Sequence, residues 1–255
     1  MFMIKKLLHT IIEKLFGFSY LKQLYKRNYS DPELNNNFWK KTLEILKIEH
    51  SLKDAERIPK QGPCIIVSNH PFGILDGLII CSEVAKLRRD YRILINEELS
   101  AIDHIRDYLF PLRLDMSKDA AKINIKSKND AIEFINKGGL VIIFPSGEVA
   151  TSERLFKKAV EKEWKPLIGS IVRKVNCKIL PVYCRGQNSF LFQLTGIINY
   201  KLRRILFARE LINKSNKKFD AECGELLDCQ LFHKMNNSEI AESLRSETLK
   251  IVNLH

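Results

Sequence analysis

The chain has 255 residues, of which 45% are hydrophobic, which is enough for one large domain with a substantial core and an accessory segment. Lys and Arg number 42 against 30 Asp and Glu, and the formal net charge of +12 favours anionic partners such as nucleic acid, acidic lipid headgroups or phosphorylated metabolites. Six cysteines are scattered without a C-x-x-C pair, which indicates neither a zinc site nor a disulfide framework and fits a reducing cytoplasm.

The first predicted element is an amphipathic helix near the N-terminus. Its apolar residues recur at intervals of three and four, with charged residues between them: Ile4, Leu7, Leu8, Ile11, Ile12, Leu15 and Phe16. This apolar face could pack on the protein's own core, or it could lie in the headgroup region of an anionic membrane, because Lys22, Lys26 and Arg27 follow closely. The interrupting charges argue against an export signal, and no apolar run is long enough for a transmembrane helix.

Residues 31 to 61 are predicted as a loop, a helix from Phe38 to Ile45, and a polar link. We therefore assign residues 1–59 to an N-terminal helical segment that is a candidate for contact with a membrane interface.

The pattern changes after residue 60 to short apolar runs, which are typical of strands buried on both faces. These runs are CIIVSN at 64–69, YRILIN at 91–96, LVIIFP at 140–145 and KILPVY at 178–183. Helical character lies between them, around 76–89, 98–109, 127–137 and 158–175. Alternating strands and helices predict an α/β fold with a mostly parallel central sheet flanked by helices, formed by residues 60–255 as one domain.

Polar, turn-rich segments follow three of the predicted strands. They are NHPFGILDG after the first, FPSGEVAT at 144–151 after the third and PVYCRGQNS at 181–189 in and after the fourth. Functional groups of parallel sheets collect beyond the carboxyl ends of the strands. The three segments would converge on one cleft if their strands are neighbours.

His70 and Asp76 flank the break formed by Pro71 and Gly73, which supplies the turn that an unbroken helix would lack. A carboxylate beside a histidine fixes the tautomer and stabilises the imidazolium, which suits deprotonation of a hydroxyl near neutral pH. A purely structural alternative also exists, in which His70 caps the following helix and Asp76 binds backbone. Ser146 is disfavoured as a hydrolase nucleophile because PSGE lacks the G-x-S-x-G elbow.

The segments GPCIIVSNHPFGILDG, GGLVIIFPSGEV and GQNSFLF, with LRRILFARELINK after them, occur in this order and at a characteristic spacing. In these features the chain resembles the glycerolipid acyltransferases of the lysophosphatidate acyltransferase superfamily. In particular it looks like the bacterial branch, often labelled haemolysin-like, that acylates lyso-aminolipids such as lyso-ornithine or lyso-glycine lipids. The resemblance covers about residues 15–250 and implies a glycerolipid-acyltransferase-like fold.

The resemblance also implies roles for individual residues. His70 matches the catalytic base and Asp76 the carboxylate that orients it. The segment 144–148 matches the acceptor-binding loop, and Pro181 and Val182 match the strand block near the acyl chain. The candidate substrate-binding residues are Asn69, Gly73, Phe144, Pro145, Ser146, Gly147, Glu148 and Asn188.

The chain departs from the common superfamily pattern at several positions. Five residues rather than four separate His70 from Asp76, as in the aminolipid-like branch. Ser146 stands where members that accept a phosphate favour glutamate, and Glu148 follows two residues later, which weakens lysophosphatidate as the acceptor. The second motif is faint: NEEL at 96–99 is its trace and Arg113 is a candidate anion ligand. Arg185, Gln187 and Asn188 either line the cleft or close a turn. The family's glycine-bearing strand near the C-terminus is reduced to AECGELL at 221–227.

The function implied is an O-acyltransferase that uses an acyl carrier protein or coenzyme A thioester and a lysolipid acceptor, without a metal or redox cofactor. A cytoplasmic protein, peripheral on the inner face of the cell membrane, would meet an anionic surface and an acidic carrier protein through its positive charge. The alternatives are a 1-acylglycerol-3-phosphate acyltransferase of phospholipid synthesis and a non-enzymatic lipid-binding protein. Nucleic-acid binding has only the net charge in its favour.

Overall fold

A computed structural model describes residues 17–254 except 114, 116, 155 and 199–202. Its centre is an eight-stranded sheet in the order β1-β7-β6-β2-β5-β3-β4, with β8 paired to β6. The strands are β1 (Glu49–Lys53), β2 (Cys64–Ser68), β3 (Tyr91–Asn96), β4 (Leu109–Leu112), β5 (Leu140–Ile143), β6 (Lys178–Cys184), β7 (Lys218–Cys223) and β8 (Leu227–Asp228). Only the pairings of β6 with β7 and β8 are antiparallel, so the predicted mostly parallel sheet is confirmed.

Helices flank the sheet. They are α1 (Phe18–Asn28), α2 (Pro32–Ile45), α3 (Ile74–Leu87), α4 (Lys118–Asn136), α5 (Leu167–Val172), α6 (Phe190–Ile198), α7 (Arg203–Ile212) and α8 (Asn237–Lys250). Short 3₁₀ turns occupy Ala55–Arg57, Glu97–Ala101, Asp103–Tyr108, Cys229–Phe232 and Ile251–Leu254. One buried apolar cluster includes side chains of α2, α3 and β2, and a second includes side chains of β5, α5 and α8.

All four predicted strands are present as β2, β3, β5 and β6. Every residue of β2 and β5 is buried, as expected for strands covered on both faces. β2 lies between β5 and β6, and both pairings are parallel. The sheet therefore has its most apolar strands at its centre.

Several predicted helix boundaries were wrong, each for a local reason. The region 98–109 forms two 3₁₀ turns rather than a helix, because Ile102 is extended. The helix predicted at 127–137 begins at Lys118, because the Ser117 side chain accepts a hydrogen bond from the backbone N–H of Ala120 and caps it. Of 158–175 only Leu167–Val172 is α-helical, and an isolated β-bridge joins Thr151 to Val160.

The N-terminal prediction also needs correction. α2 begins at Pro32, where a loop was expected, because the Asp31 side chain caps it. Glu49–Lys53, assigned to the helical segment, is an edge strand paired with β7. Its alternating exposed and half-buried residues carry no long apolar run, which is why the pattern missed it. The predicted amphipathic helix from Ile4 to Phe16 lies outside the described residues, and the division at residue 60 stays a prediction.

No helix in the described part of the chain combines the length and apolar character needed to cross a bilayer. The six cysteines are all buried free thiols.

Candidate active site

The three polar segments do converge. β2 is hydrogen-bonded to β5 on one side and to β6 on the other, in parallel register. The segments that follow these strands therefore leave the same edge of the sheet. Hydrogen bonds join these segments directly. The backbone N–H of Ala150 donates to the His70 carbonyl at 2.8 Å, and the Asn188 amide donates to the Phe72 carbonyl at 3.2 Å.

The turn between β2 and α3 is built around Asp76. Its carboxylate oxygen Oδ2 accepts the backbone N–H groups of Phe72 at 2.9 Å and Gly73 at 2.8 Å, at the start of α3. Gly73 has φ of 89°, which a residue with a side chain rarely adopts. A Cβ at Gly73 would lie 3.0 Å from Phe207 and 3.2 Å from Val149, so the conformation favours glycine and the space is tight for any larger residue.

The same carboxylate reaches the histidine. His70 Nδ1 lies 2.9 Å from Asp76 Oδ2, which is an ion-pair distance, although the Nδ1–H direction is not aligned as a strong hydrogen bond. Asp76 is fully buried, whereas the His70 side chain keeps 18% of its surface exposed. Nδ1 is itself buried, so Nε2 is the ring nitrogen left for a substrate proton. Asp76 therefore both binds backbone N–H groups and contacts His70, and its catalytic role stays a prediction.

Phe144 packs on the imidazole. The two rings are stacked, with centroids 4.3 Å apart and planes at 26°. Phe144, predicted as a substrate-binding residue, thus fixes the plane of the ring that Asp76 holds at its edge.

Glu161 is a site residue that the sequence did not reveal. Its side chain is buried, and Oε2 accepts the backbone N–H of His70 at 3.0 Å while Oε1 accepts the indole N–H of Trp164 at 2.9 Å. Burial raises the pKa of Glu161, although these hydrogen bonds act in the opposite direction. The segment from Ala150 to Glu161 is therefore attached to the main chain of His70 at both ends. A lone glutamate outside any motif gave no signal of this contact.

The predicted acceptor loop lies beside this pair. The Ser146 hydroxyl donates to the Glu148 carbonyl at 2.8 Å, and the Pro145 carbonyl accepts the backbone N–H of Lys165 at 3.0 Å. Gly147 has φ of 65° and turns the chain back, with its N–H donating to the Phe144 carbonyl. An open cavity of about 670 Å³ adjoins the loop. It is lined by Ser146, Glu148, Glu153, Val160, Glu161, Lys162, Glu163, Lys165, Glu242 and Arg245.

Two predicted substrate-binding amides make contacts within the protein. Asn69 is buried and exchanges two hydrogen bonds with the backbone of Cys184, at 3.0 and 2.7 Å, which ties the ends of β2 and β6. Asn188 is also buried, and its oxygen accepts the Lys214 ammonium at 2.6 Å while its nitrogen binds Phe72. Their roles in substrate binding stay predictions.

Two buried cations support the loops. The Lys214 ammonium lies 5.1 Å from the centre of the Phe72 ring and also contacts Glu210, and burial lowers its pKa. Arg203 donates to Thr151 and to the Val149 carbonyl and forms an ion pair with Glu148 at 3.4 Å. Arg203, which lies in the segment LRRILFARELINK, is only 4% exposed.

The remaining predicted residues lie as follows. Arg113 pairs with Glu97 at 2.8 Å and Asp115 at 3.3 Å, so its charge is already balanced. Arg185 pairs with Glu222 at 2.6 Å, and Gln187 accepts the backbone N–H of Ala159.

Pro181 and Val182 are buried in β6 opposite Val67 and Ser68 of β2. Among the described side chains, no group of three or more His, Cys, Asp or Glu residues is placed to hold a metal ion.

The sequence model of the family described as "Acyltransferase" matches residues 10–253, almost the whole chain. The chain belongs to this acyltransferase family. It is therefore an acyltransferase of the glycerolipid acyltransferase superfamily, as the motifs indicated.

Two curated proteins, both named lyso-glycine lipid O-acyltransferase, are similar to this acyltransferase. The protein from Phocaeicola vulgatus is 25% identical over 251 residues, covering 91% of this chain and 88% of its own length. The protein from Bacteroides thetaiotaomicron is 27% identical over 240 residues, covering 86% and 83% respectively.

A solved structure shares the fold. The 1-acyl-sn-glycerophosphate acyltransferase of Thermotoga maritima superposes with a TM-score of 0.56 at 17% identity, covering 100% of this chain and 98% of that chain. The α/β acyltransferase fold predicted from the sequence is confirmed.

Proposed function

We propose that this acyltransferase transfers a fatty acyl group from an acyl thioester, carried by acyl carrier protein or coenzyme A, to a hydroxyl of a lysolipid. The observation that carries the proposal is the His70–Asp76 pair, 2.9 Å apart where the polar segments converge. A histidine held by a buried carboxylate is suited to deprotonate a hydroxyl, and no residue of the protein need act as nucleophile.

The transfer follows from this arrangement. His70 Nε2 takes the proton of the acceptor hydroxyl while the hydroxyl oxygen forms a bond to the thioester carbonyl carbon. The tetrahedral intermediate then expels the thiolate, which takes the proton from the imidazolium, leaving an ester and a free thiol. The Asp76 carboxylate stabilises the imidazolium between these steps. The thioester is already activated, so the reaction as written needs neither a metal nor a redox cofactor.

A lyso-aminolipid is the proposed acceptor. Both curated relatives are named for a lyso-glycine lipid, and they cover most of this chain. Ser146 stands where loops that accept a phosphate-bearing lysolipid favour glutamate, which weakens lysophosphatidate as the acceptor. Lysophosphatidate is the second candidate, because the solved structure with the same fold is named for that acceptor.

The net charge of +12 supports the proposed partners. Positive potential would attract both an acidic carrier protein and an anionic membrane, which holds the lysolipid. We place the enzyme in the cytoplasm, peripheral on the inner face of the cell membrane. Nucleic acid is not among the proposed partners.

The test is a transfer assay with a labelled acyl thioester. Lyso-glycine lipid, lyso-ornithine lipid and lysophosphatidate are offered separately to wild type and to His70→Ala, with each donor carrier in turn. We expect product with an aminolipid and a loss of at least about 10²-fold in kcat for the variant. His233→Ala is the control, because that histidine lies in a distant exposed turn.

Each outcome has a distinct meaning. Product from lysophosphatidate alone would contradict the aminolipid acceptor and would assign the enzyme as a 1-acylglycerol-3-phosphate acyltransferase of phospholipid synthesis. Full turnover by His70→Ala would contradict the mechanism. Binding of lysolipid without turnover by any pair of substrates would favour the non-enzymatic alternative.

A further inference from the structure

Apolar side chains protrude on one face of the molecule beside the candidate active site. Phe156 is 86% exposed and stacks on Phe190, with ring centroids 5.3 Å apart. Ile198, at the end of α6, is 69% exposed, and Ile197 beside it is also exposed. α6 is apolar along most of its length, yet it buries only Phe192 and Gln193 fully. Protruding apolar groups of this size indicate an interaction surface.

Basic side chains share the same face. Arg154, Lys157 and Lys158 are exposed and line one cavity together with Phe156, Phe190 and Ile197. Within the described part of the chain, none of these three cations forms an ion pair. We call the face formed by residues 152–158, without 155, and by α6 the α6 face. Its charge is complementary to an anionic surface.

The cavity on the α6 face contains a buried polar donor. It measures about 160 Å³ and is also lined by Ser152, Gln187, Gln193 and Leu194. Gln193 is 4% exposed, and its oxygen is fixed by the backbone N–H of Ser152 at 2.8 Å. Its Nε2 group donates to no described residue. A buried amide donor without a partner points to a ligand that accepts hydrogen bonds.

The α6 face is attached to the catalytic histidine. The segment that carries Phe156 begins after Ala150, which donates to the His70 carbonyl, and ends at Glu161, which accepts the His70 N–H. Phe156 itself has φ of 60°, a strained conformation for a bulky residue, and its side chain is exposed. A surface reached by this segment would therefore lie next to the reacting groups.

We propose that the α6 face docks the enzyme on an anionic phospholipid bilayer, with Phe156, Phe190 and Ile198 entering the headgroup region and an anionic headgroup in the Gln193 cavity. This inference rests on the proposed lysolipid function, because a membrane-resident acceptor must be reached from the bilayer. The basic side chains around the cavity then contact neighbouring headgroups.

A bilayer fits the face better than a protein partner does. Aromatic anchors in protein interfaces are packed into pockets and desolvated. Phe156 and Ile198 instead stand out from the surface, and a fluid headgroup layer accepts such protrusions without a complementary shape. An acidic carrier protein on this face is the competing outcome in the test below.

The experiment is flotation of the full chain with vesicles of phosphatidylcholine alone or mixed with phosphatidylglycerol. Two double variants are compared with wild type: Phe156→Ser with Phe190→Ser, and Lys157→Gln with Lys158→Gln. Ile125→Ser and Lys122→Gln on α4 are the controls, because both residues are exposed and lie outside the α6 face. We expect each double variant to lower the partition into mixed vesicles by about ten-fold or more, and the controls to match wild type.

A near-isosteric variant tests the cavity. Gln193→Glu keeps an acceptor for Ser152 but replaces the NH₂ donor with a negatively charged oxygen. We expect weaker binding to mixed vesicles and unchanged binding to pure phosphatidylcholine. Equal binding by Gln193→Glu and wild type would overturn the headgroup site.

Partition of both double variants equal to wild type would overturn the docking surface. So would unchanged vesicle binding together with lost binding of an acidic carrier protein. Turnover of a short-chain, water-soluble lysolipid separates this inference from the proposed function, because the double variants should match wild type there. If no protein turns over any acceptor, the proposed function fails while the flotation result stands alone.

Discussion

Asp76 combines two contacts in one carboxylate, because it accepts two backbone N–H groups of the turn and pairs with His70. Asp76→Asn keeps an oxygen for the turn but removes the charge that stabilises the imidazolium. We expect kcat to fall by at least about 10²-fold, with a smaller change in KM. Steady-state kinetics checks this against Asp119→Asn, which alters an exposed aspartate in the first turn of α4. An unchanged kcat would show that the pair has no catalytic role.

Glu161 makes the stability of the protein depend on pH. Its pKa is raised in the folded state by burial, so the folded protein holds this proton more tightly than the unfolded chain does. The stability from this group is complete below the ordinary glutamate value of about 4.5 and is lost as the pH rises through the raised pKa. Relative to wild type, Glu161→Gln should therefore gain unfolding free energy as the pH rises above that value.

Denaturant unfolding of wild type and Glu161→Gln across the acid and neutral range measures this difference. Glu163→Gln is the matched control, because Glu163 is an exposed carboxylate two positions along the chain. A difference between Glu161→Gln and wild type that stays constant with pH would contradict the buried titration.

The turn between β2 and α3 depends on Gly73, both for its positive φ and for the limited space around it. A second glycine, Gly138, allows these two effects to be measured separately. Gly73 and Gly138 both have positive φ, but an added Cβ meets Phe207 and Val149 at Gly73 and nothing within 4 Å at Gly138. Both alanine variants should lose roughly 1 kcal/mol of stability or more from backbone strain. Only Gly73→Ala should also lower kcat, because the displaced turn carries His70 and Asp76. Denaturant unfolding and transfer assays on both variants test this, and equal kcat values would exclude a catalytic effect of the displacement.

The elements that the sequence predicted well are those with a strong local signal. The central strands were recognisable because they are continuous apolar runs, and the turn at Pro71 and Gly73 because few other residues form it. The edge strand Glu49–Lys53 was missed because three of its five residues are exposed and none is fully buried. The start of α4 was missed because its capping residue, Ser117, follows no apolar periodicity.

The residues of the candidate site likewise fall into those that a local sequence pattern predicts and those that distant segments bring in. His70 and Asp76 are six positions apart, so their pairing could be argued from the turn between them. Glu161 and Lys214 reach the same turn from distant parts of the chain. Contacts of this kind depend on the sheet order, which no local pattern encodes. Arg203 is a further example, since the loop that it binds follows another strand.

At the scale of the whole molecule, the reactivity of the six cysteine thiols measures how far the protein has unfolded. All are buried, and burial raises the pKa of Cys64 to about 12 and that of Cys184 well above its ordinary value. A protonated thiol away from solvent reacts slowly with a disulfide reagent. We expect native protein to react only as it unfolds, with the rate rising across the denaturant transition. Rapid reaction of one thiol in native protein would show local opening at that cysteine.

The position of β2 between β5 and β6 has a consequence for how activity is lost on heating. Amide protons in the centre of such a sheet exchange with solvent only when the molecule opens as a whole, whereas edge strands exchange through smaller fluctuations. The segments that carry the reacting groups all leave these central strands. Fraying of β1 or β4 at the edges of the sheet would therefore leave the acyltransferase site in place, and inactivation would coincide with the global transition.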